Sequence, residues 1–132
     1  MGSVFSTAVS GLAAQSQVLA VSAVNVANFR SLAVDPDGTS TNPDAFAPHK
    51  AVLTSTADGQ VRAETVPIDP PSFYSFEPGA PDANADGVVP RPNVSLAQEF
   101  VTQMIALRAF QANVRVIQTE DEMLGELLNL TA

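Results

Sequence analysis

Two stretches of the chain repeat large apolar residues every seven positions, and the stretch between them does not. Near the N-terminus Phe5, Leu12, Leu19 and Val26 recur at heptad spacing, with Val9, Ser16 and Ala23 at the second seam position. Near the C-terminus Phe100, Leu107, Val114, Asp121 and Leu128 form one heptad position, and Gln103, Phe110, Ile117 and Leu124 the other. Two such positions per heptad make the stripe by which helices pair. The pattern predicts helices near Ser3–Asn28 and Ser95–Leu130. Ser95-Leu-Ala-Gln98 has the spacing of a capping box, and Glu99 suits the positive end of the second helix dipole. At 1.5 Å per residue these helices span about 39 and about 54 Å, so they can lie antiparallel over most of the shorter one. The expected fold is mainly α: long N- and C-terminal helices paired as an antiparallel coiled coil, with a small β-hairpin and irregular segment between them. Val101, Met104, Ile105, Val116 and Met123 lie off that seam. They present more apolar surface than one partner helix covers, so either the middle segment or neighbouring subunits must bury it.

The prolines mark the middle. All ten fall between Pro36 and Pro92, and proline inside a helix costs about 3 kcal/mol. This divides the chain into a helix over 1–28, a Pro-rich loop and hairpin segment over 29–94, and a helix over 95–132. Residues 50–56 and 60–66 flank Asp58-Gly59, the signature of a type I′ hairpin turn. Residues 31–48 are rich in Ser, Asp, Pro, Gly and Asn and read as a surface loop. Phe73, Tyr74 and Phe76 are expected to anchor the middle segment against the helices.

Charge and composition narrow the function. Acidic residues outnumber basic ones 14 to 6, for a formal charge of -8. That balance is unsuited to neutralising phosphates, so nucleic acid is not an expected partner, and it is unsuited to an anionic lipid surface. The chain has no cysteine and one histidine, which excludes disulfides, thiolate metal sites, Cys nucleophiles and multi-His zinc. No nucleophile–base pair can be assembled from spacing, so no catalytic residue is expected and no cofactor. The N-terminal helix carries no charge before Arg30. A secretory signal would need a basic start, and a polar residue on nearly every turn argues against a membrane span. A neutral outer face of Ser, Thr, Gln, Asn, Ala and Val suits a helix covered by neighbours on several sides; a weakly ordered terminus in the isolated chain would read the same way. His49, between Pro48 and Lys50, is expected to be a solvated side chain. Asp82-Ala-Asn84-Ala-Asp86-Gly87 matches the first half of an EF-hand loop. Asn93 stands where that loop needs a bidentate Glu, and Pro81, Pro90 and Pro92 deny it flanking helices. Tight turns built on Asx and glycine read the same way. A small calcium-binding adaptor using Asp82, Asn84 and Asp86 is the alternative function.

Three motifs carry a family resemblance. Asn25-Val-Ala-Asn28 is similar to the N-x-A-N signature of flagellar rod and hook proteins. Pro81-Asp-Ala-Asn-Ala-Asp-Gly-Val-Val89, followed by Pro92-Asn-Val94, resembles the P-D-A-x-x-D-G-Y-V…P-N-V stretch of proximal rod proteins. Arg108-Ala-Phe-Gln-Ala-Asn113 resembles their R-A-Y-E-A-N motif. In order, these cover about residues 1–28 and 66–130, and the chain resembles the bacterial flagellar basal-body rod proteins, the proximal rod proteins in particular.

The resemblance implies a structural subunit of a helical tube that transmits torque and encloses the export channel. It implies as partners further copies of the chain, other rod subunits and the flagellar type III export apparatus, with the protein at the junction of membrane ring and rod as a further candidate neighbour. It places the chain in the periplasmic rod of the basal body, exported without a cleaved signal. The expected assembly residues are Phe5, Leu12, Leu19, Asn25, Val26 and Asn28 on the first helix. On the second they are Phe100, Leu107, Arg108, Phe110, Asn113, Val114, Ile117 and Leu124. Asn25, Asn28 and Asn113 either fix register by lateral hydrogen bonds or, for the first two, end the helix. Arg108 and Arg115, one heptad apart, either meet acids of a neighbouring subunit or stay solvated.

Overall fold

The computed structural model describes residues 2–40 and 42–130. Six elements follow in order: α1 (Gly2–Asn28), β1 (His49–Ser55), β2 (Val61–Pro67), β3 (Ser72–Phe76), β4 (Val88–Pro92) and α2 (Leu96–Leu130). Met1, Thr131 and Ala132, which the expected terminal segments include, lie outside the described residues. The chain is mainly helical with a β middle, and the strands form two two-stranded sheets, β1 with β2 and β3 with β4. The helix ends fall within one residue of the expected bounds Ser3–Asn28 and Ser95–Leu130, because no proline within either stretch interrupts the backbone ladder. From Val4 to Asn28, α1 is long and apolar enough to cross a membrane by length and composition, with mean hydropathy 1.3. Four of its polar side chains, Thr7, Ser10, Ser22 and Asn25, nonetheless bond segments outside the helix, as in a helix packed on protein.

Chain contacts divide the molecule into two compact units. The first holds residues up to 20, 51–64 and from 102 onward. Here the tip of the β1–β2 hairpin is tied to α1 by hydroxyls. Thr7 Oγ1 donates to the Gly59 carbonyl at 3.3 Å, and the Val61 amide donates to Ser10 Oγ at 3.0 Å. The turn is not the expected type I′. That turn needs positive φ at both central residues, and among the described residues only glycines have it, Gly59 at 76°. The Gly59 amide bonds the Thr56 carbonyl at 3.0 Å and the Thr56 amide bonds the Gln60 carbonyl at 2.8 Å. Ala57 and Asp58 thus form an ordinary right-handed turn and Gly59 alone takes the left-handed position, the three-residue hairpin with a glycine bulge.

The second unit holds residues 21–50 and 65–101. Strand β3 runs antiparallel to β4, with Ser72 opposite Pro92 and Phe76 opposite Val88. The expected loop over 31–48 is pinned here at its ends. Ala33 bridges Phe46, and Ala33 donates to the Pro90 carbonyl at 3.2 Å. Ser72 Oγ donates to the Val34 carbonyl at 2.6 Å. Val89, Pro48 and Pro92 are fully buried at the centre of this unit. The aromatic run behaves otherwise than expected: Phe73, Tyr74 and Phe76 are all exposed, Phe76 at 73%. The buried member of β3 is instead Ser72, whose hydroxyl has the Val34 carbonyl as its partner. The aromatics are therefore not an anchor against the helices. Tyr74 instead donates its hydroxyl to Asp35 Oδ1 at 3.1 Å, and that bond to a carboxylate holds its proton, raising its pKa.

Arg91 on β4 is the electrostatic centre of this unit. Its Nε donates to Glu77 Oε1 at 3.2 Å and its Nη2 to Glu77 Oε2 at 2.6 Å. Its Nη1 donates to the Arg30 carbonyl at 3.1 Å and meets Asp82 Oδ2 at 3.4 Å. A planar fork matched to a carboxylate is the strong form of an ion pair. The hydrogen bond from Arg91 is the main reason the Glu77 carboxyl sits below its usual range.

A candidate assembly interface

The two helices bury one face and expose another, and the division is set by side-chain size. On α1 the buried residues are Ala8, Gly11, Ala14, Val18, Ser22 and Asn25. On α2 Ala106 and Glu120 are buried, and Glu99 and Asn113 are half-buried. These are heptad positions too, at 11, 18 and 25 and at 99, 106, 113 and 120, one residue before the expected stripes. The second expected position on α2 is half-buried at Gln103, Phe110 and Ile117. Small residues let backbones approach where bulky ones hold them apart, as in other close helix contacts. In the first unit a Cβ on Gly11 would stand 2.7 Å from Asn113 Nδ2. An open cleft of about 290 Å³ beside this approach is lined by Val4, Thr7, Ala8, Asn113 and Val116.

The expected assembly residues accordingly sit toward the outside or the margin of the monomer. Phe5, Phe100 and Leu107 are about half exposed, and Arg108 and Leu124 are exposed. Leu12, Leu19, Val26, Phe110, Val114 and Ile117 are half-buried. Val101, Met104, Ile105, Val116 and Met123, the surplus apolar positions, are all exposed, Ile105 at 63%. Residues 121–130 of α2 are exposed without exception.

Asn25 of the N-x-A-N motif behaves differently from this stripe. It is 2% exposed, and its amide makes three bonds within the second unit. Its Nδ2 donates to the His49 carbonyl at 2.6 Å and to Glu99 Oε1 at 2.8 Å. Its Oδ1 accepts from the His49 amide at 3.2 Å. One side chain thus pairs with the start of β1 as another strand would and also grips the first turn of α2. Ser22, one turn earlier, donates to the Glu99 carbonyl at 3.4 Å. Asn28 ends the helix: its Nδ2 bonds the Val24 carbonyl at 2.9 Å, and its own carbonyl accepts from Ser31. His49, expected to be solvated, is half-buried with both backbone groups held by Asn25.

The Asp82–Gly87 loop is organised by hydrogen bonds of its own. Asn84 Oδ1 accepts from the Asp86 and Val88 amides at 3.0 and 2.9 Å, an Asx turn. Asp82 faces Arg91. Two of the three side chains considered as calcium ligands are thus engaged otherwise, Asn84 in the turn and Asp82 with Arg91. Among the described residues no group of three or more His, Asp or Glu could hold a metal ion.

Sequence reasoning did not find Gly11, Ser22, Glu99 or Glu120 as contact residues. The signal was present as a second heptad one position away, written in small and polar residues that a hydrophobicity pattern gives little weight. Glu120 is 4% exposed, and its Oε2 has no hydrogen-bond partner among the described residues.

Comparison with known proteins adds the following. Residues 85–130 match the family described as the flagellar basal body rod FlgEFG protein C-terminal. The chain is 38% identical to the flagellar basal-body rod protein FlgC of Yersinia enterocolitica, over 96% of this chain and 95% of that protein. It is 37% identical to FlgC of Salmonella typhimurium over the same shares. Over 44 residues, 33% of this chain and 17% of the other, it is 48% identical to the rod protein FlgG of Borreliella burgdorferi.

Proposed function

The chain belongs to the flagellar basal-body rod proteins, and from that premise we propose how its two helices build the rod. It is a structural subunit of the basal body of the bacterial flagellum. The observation that carries the mechanism is the inside-out distribution of apolar residues: small and polar residues face inward, while Phe5, Phe100, Met104, Ile105 and Leu107 remain about half exposed or more. An exposed apolar stripe that long is an association surface.

On this reading α1 and α2 pair as an antiparallel coiled coil, the close approach at Gly11 and Asn113 being one point of contact. The outer stripes then pack against neighbouring subunits, as a helical tube requires. Those neighbours are further copies and other rod proteins; the match of residues 85–130 to the FlgEFG C-terminal family supports a packing unit shared among rod subunits. The tube carries torque along its wall and leaves an axial channel for export. The subunit acts in the proximal, periplasmic part of the rod and reaches it through the flagellar type III apparatus without a cleaved signal, then meets the membrane-ring junction protein at its base. Purified basal bodies test the assignment directly: the chain should co-purify with them, and a strain lacking it should build no rod beyond the membrane ring. Normal rods in that strain would defeat the reading.

A further inference from the structure

Outside the helix faces already described, α2 carries a line of charge with opposite signs at its two ends. Arg108 and Arg115 are exposed and one heptad apart, and Glu122 continues the same line, with Glu126 one turn further on. None of these four forms an ion pair among the described residues, where the only salt bridges are those of Arg91. Exposed Met104, Ile105, Val116 and Met123 run beside them. The face is therefore apolar along its length, basic at 108–115 and acidic at 122–126. Such a surface is complementary to itself once displaced along the helix axis.

We propose that the occupant of this face is α2 of a second copy of the chain, lying parallel and displaced by 11–14 residues. Arg108 of one copy then meets Glu122 of the next, and Arg115 meets Glu126. At 1.5 Å per residue that displacement is about 17–21 Å. A parallel, displaced contact uses two different patches and leaves each copy with one patch free, so it propagates as an open helical array. The same charges could align in an antiparallel pair, but that contact is self-complementary and stops at two copies. The parallel choice rests on the rod reading; the charge pattern itself does not.

The chain has no cysteine, which makes a direct test available. The variant Arg108→Cys/Glu122→Cys, expressed in place of the native chain, is oxidised in isolated basal bodies and run without reductant. Dimers, trimers and higher bands are expected; a pattern that ends at the dimer, or no cross-link, overturns the proposal. A second test reads assembly. Arg108→Glu/Arg115→Glu should lose rods, and adding Glu122→Arg/Glu126→Arg to the same chain should restore them. Intact rods in the double variant, or no recovery in the fourfold variant, would place the arginines against something other than a second copy. Whether the unaltered chain is present in the basal bodies at all decides the rod reading separately.

Discussion

Asn25 is a short side chain that does the work of a strand edge and a helix clamp at once. Truncating it leaves the His49 amide, the His49 carbonyl and Glu99 Oε1 without the partner they have in the native chain. A buried polar group left unpaired costs about 1–3 kcal/mol, so Asn25→Ala should lower stability by at least ~2 kcal/mol in urea unfolding. Asn25→Asp should cost more, since it replaces two donated bonds with facing oxygens; an aspartate variant as stable as the native chain would contradict the bonding described. Glu77 offers a test by pH. Its carboxyl is held below the usual range, chiefly by the bond from Arg91. A depressed carboxyl stabilises the fold above its unfolded pKa, near 4.3, and that contribution disappears as pH falls through the lower, folded value. Titrating native chain and Glu77→Gln side by side from neutral to acid should show a steeper loss in the native chain below about pH 4.5. Parallel curves would mean that Arg91 does not stabilise the charged form.

The helices and the first hairpin were legible at the level of elements. Their signals are coarse and local: no proline for long runs, and Gly59 between β-branched segments. The face each helix turns inward was not legible. Leu, Phe and Val dominate a hydrophobicity pattern, whereas the contact at Gly11 is decided by the absence of a side chain. Strands β3 and β4 were missed for a related reason. Pro90 and Pro92 lack an amide to donate, and alternation in a five-residue strand is brief. Among the candidate site residues, Asn25 was singled out by motif, but its partners His49 and Glu99 lie far away in sequence, beyond the reach of spacing rules. Gly11 allows the inward face to be tested. Alanine is better than glycine in a helix by about 1 kcal/mol, but here its methyl would meet Asn113 Nδ2 at 2.7 Å, an overpacking cost of about 1–3 kcal/mol. Gly11→Ala should therefore not stabilise, while Gly11→Ala with Asn113→Ser should melt above Asn113→Ser alone. If Gly11→Ala alone raises the melting temperature, the helices do not approach there.

For the whole molecule, stability and assembly are carried by different residues. Leu107 is half exposed, so Leu107→Asp should leave the circular dichroism of the purified chain unchanged and yet abolish rod formation and motility. Wild-type swimming in that variant would refute the outward packing, and an unfolded monomer would show that Leu107 belongs to the core. Ala106, its neighbour, is 1% exposed and should behave in the opposite way: Ala106→Leu should disrupt the monomer itself.

The bonding at Asn25 also has a logic of timing. Its three bonds join segments 24 and 74 residues away, so the amide is quenched only when strand β1 and helix α2 have both arrived. It acts as a conjunction: either segment alone leaves a polar group stranded in a closing interior. Partial structures are penalised and the finished one is not, which sharpens folding into a single late event. On the export route proposed above, a lock that closes last would keep the chain a thread until its distant segments are together.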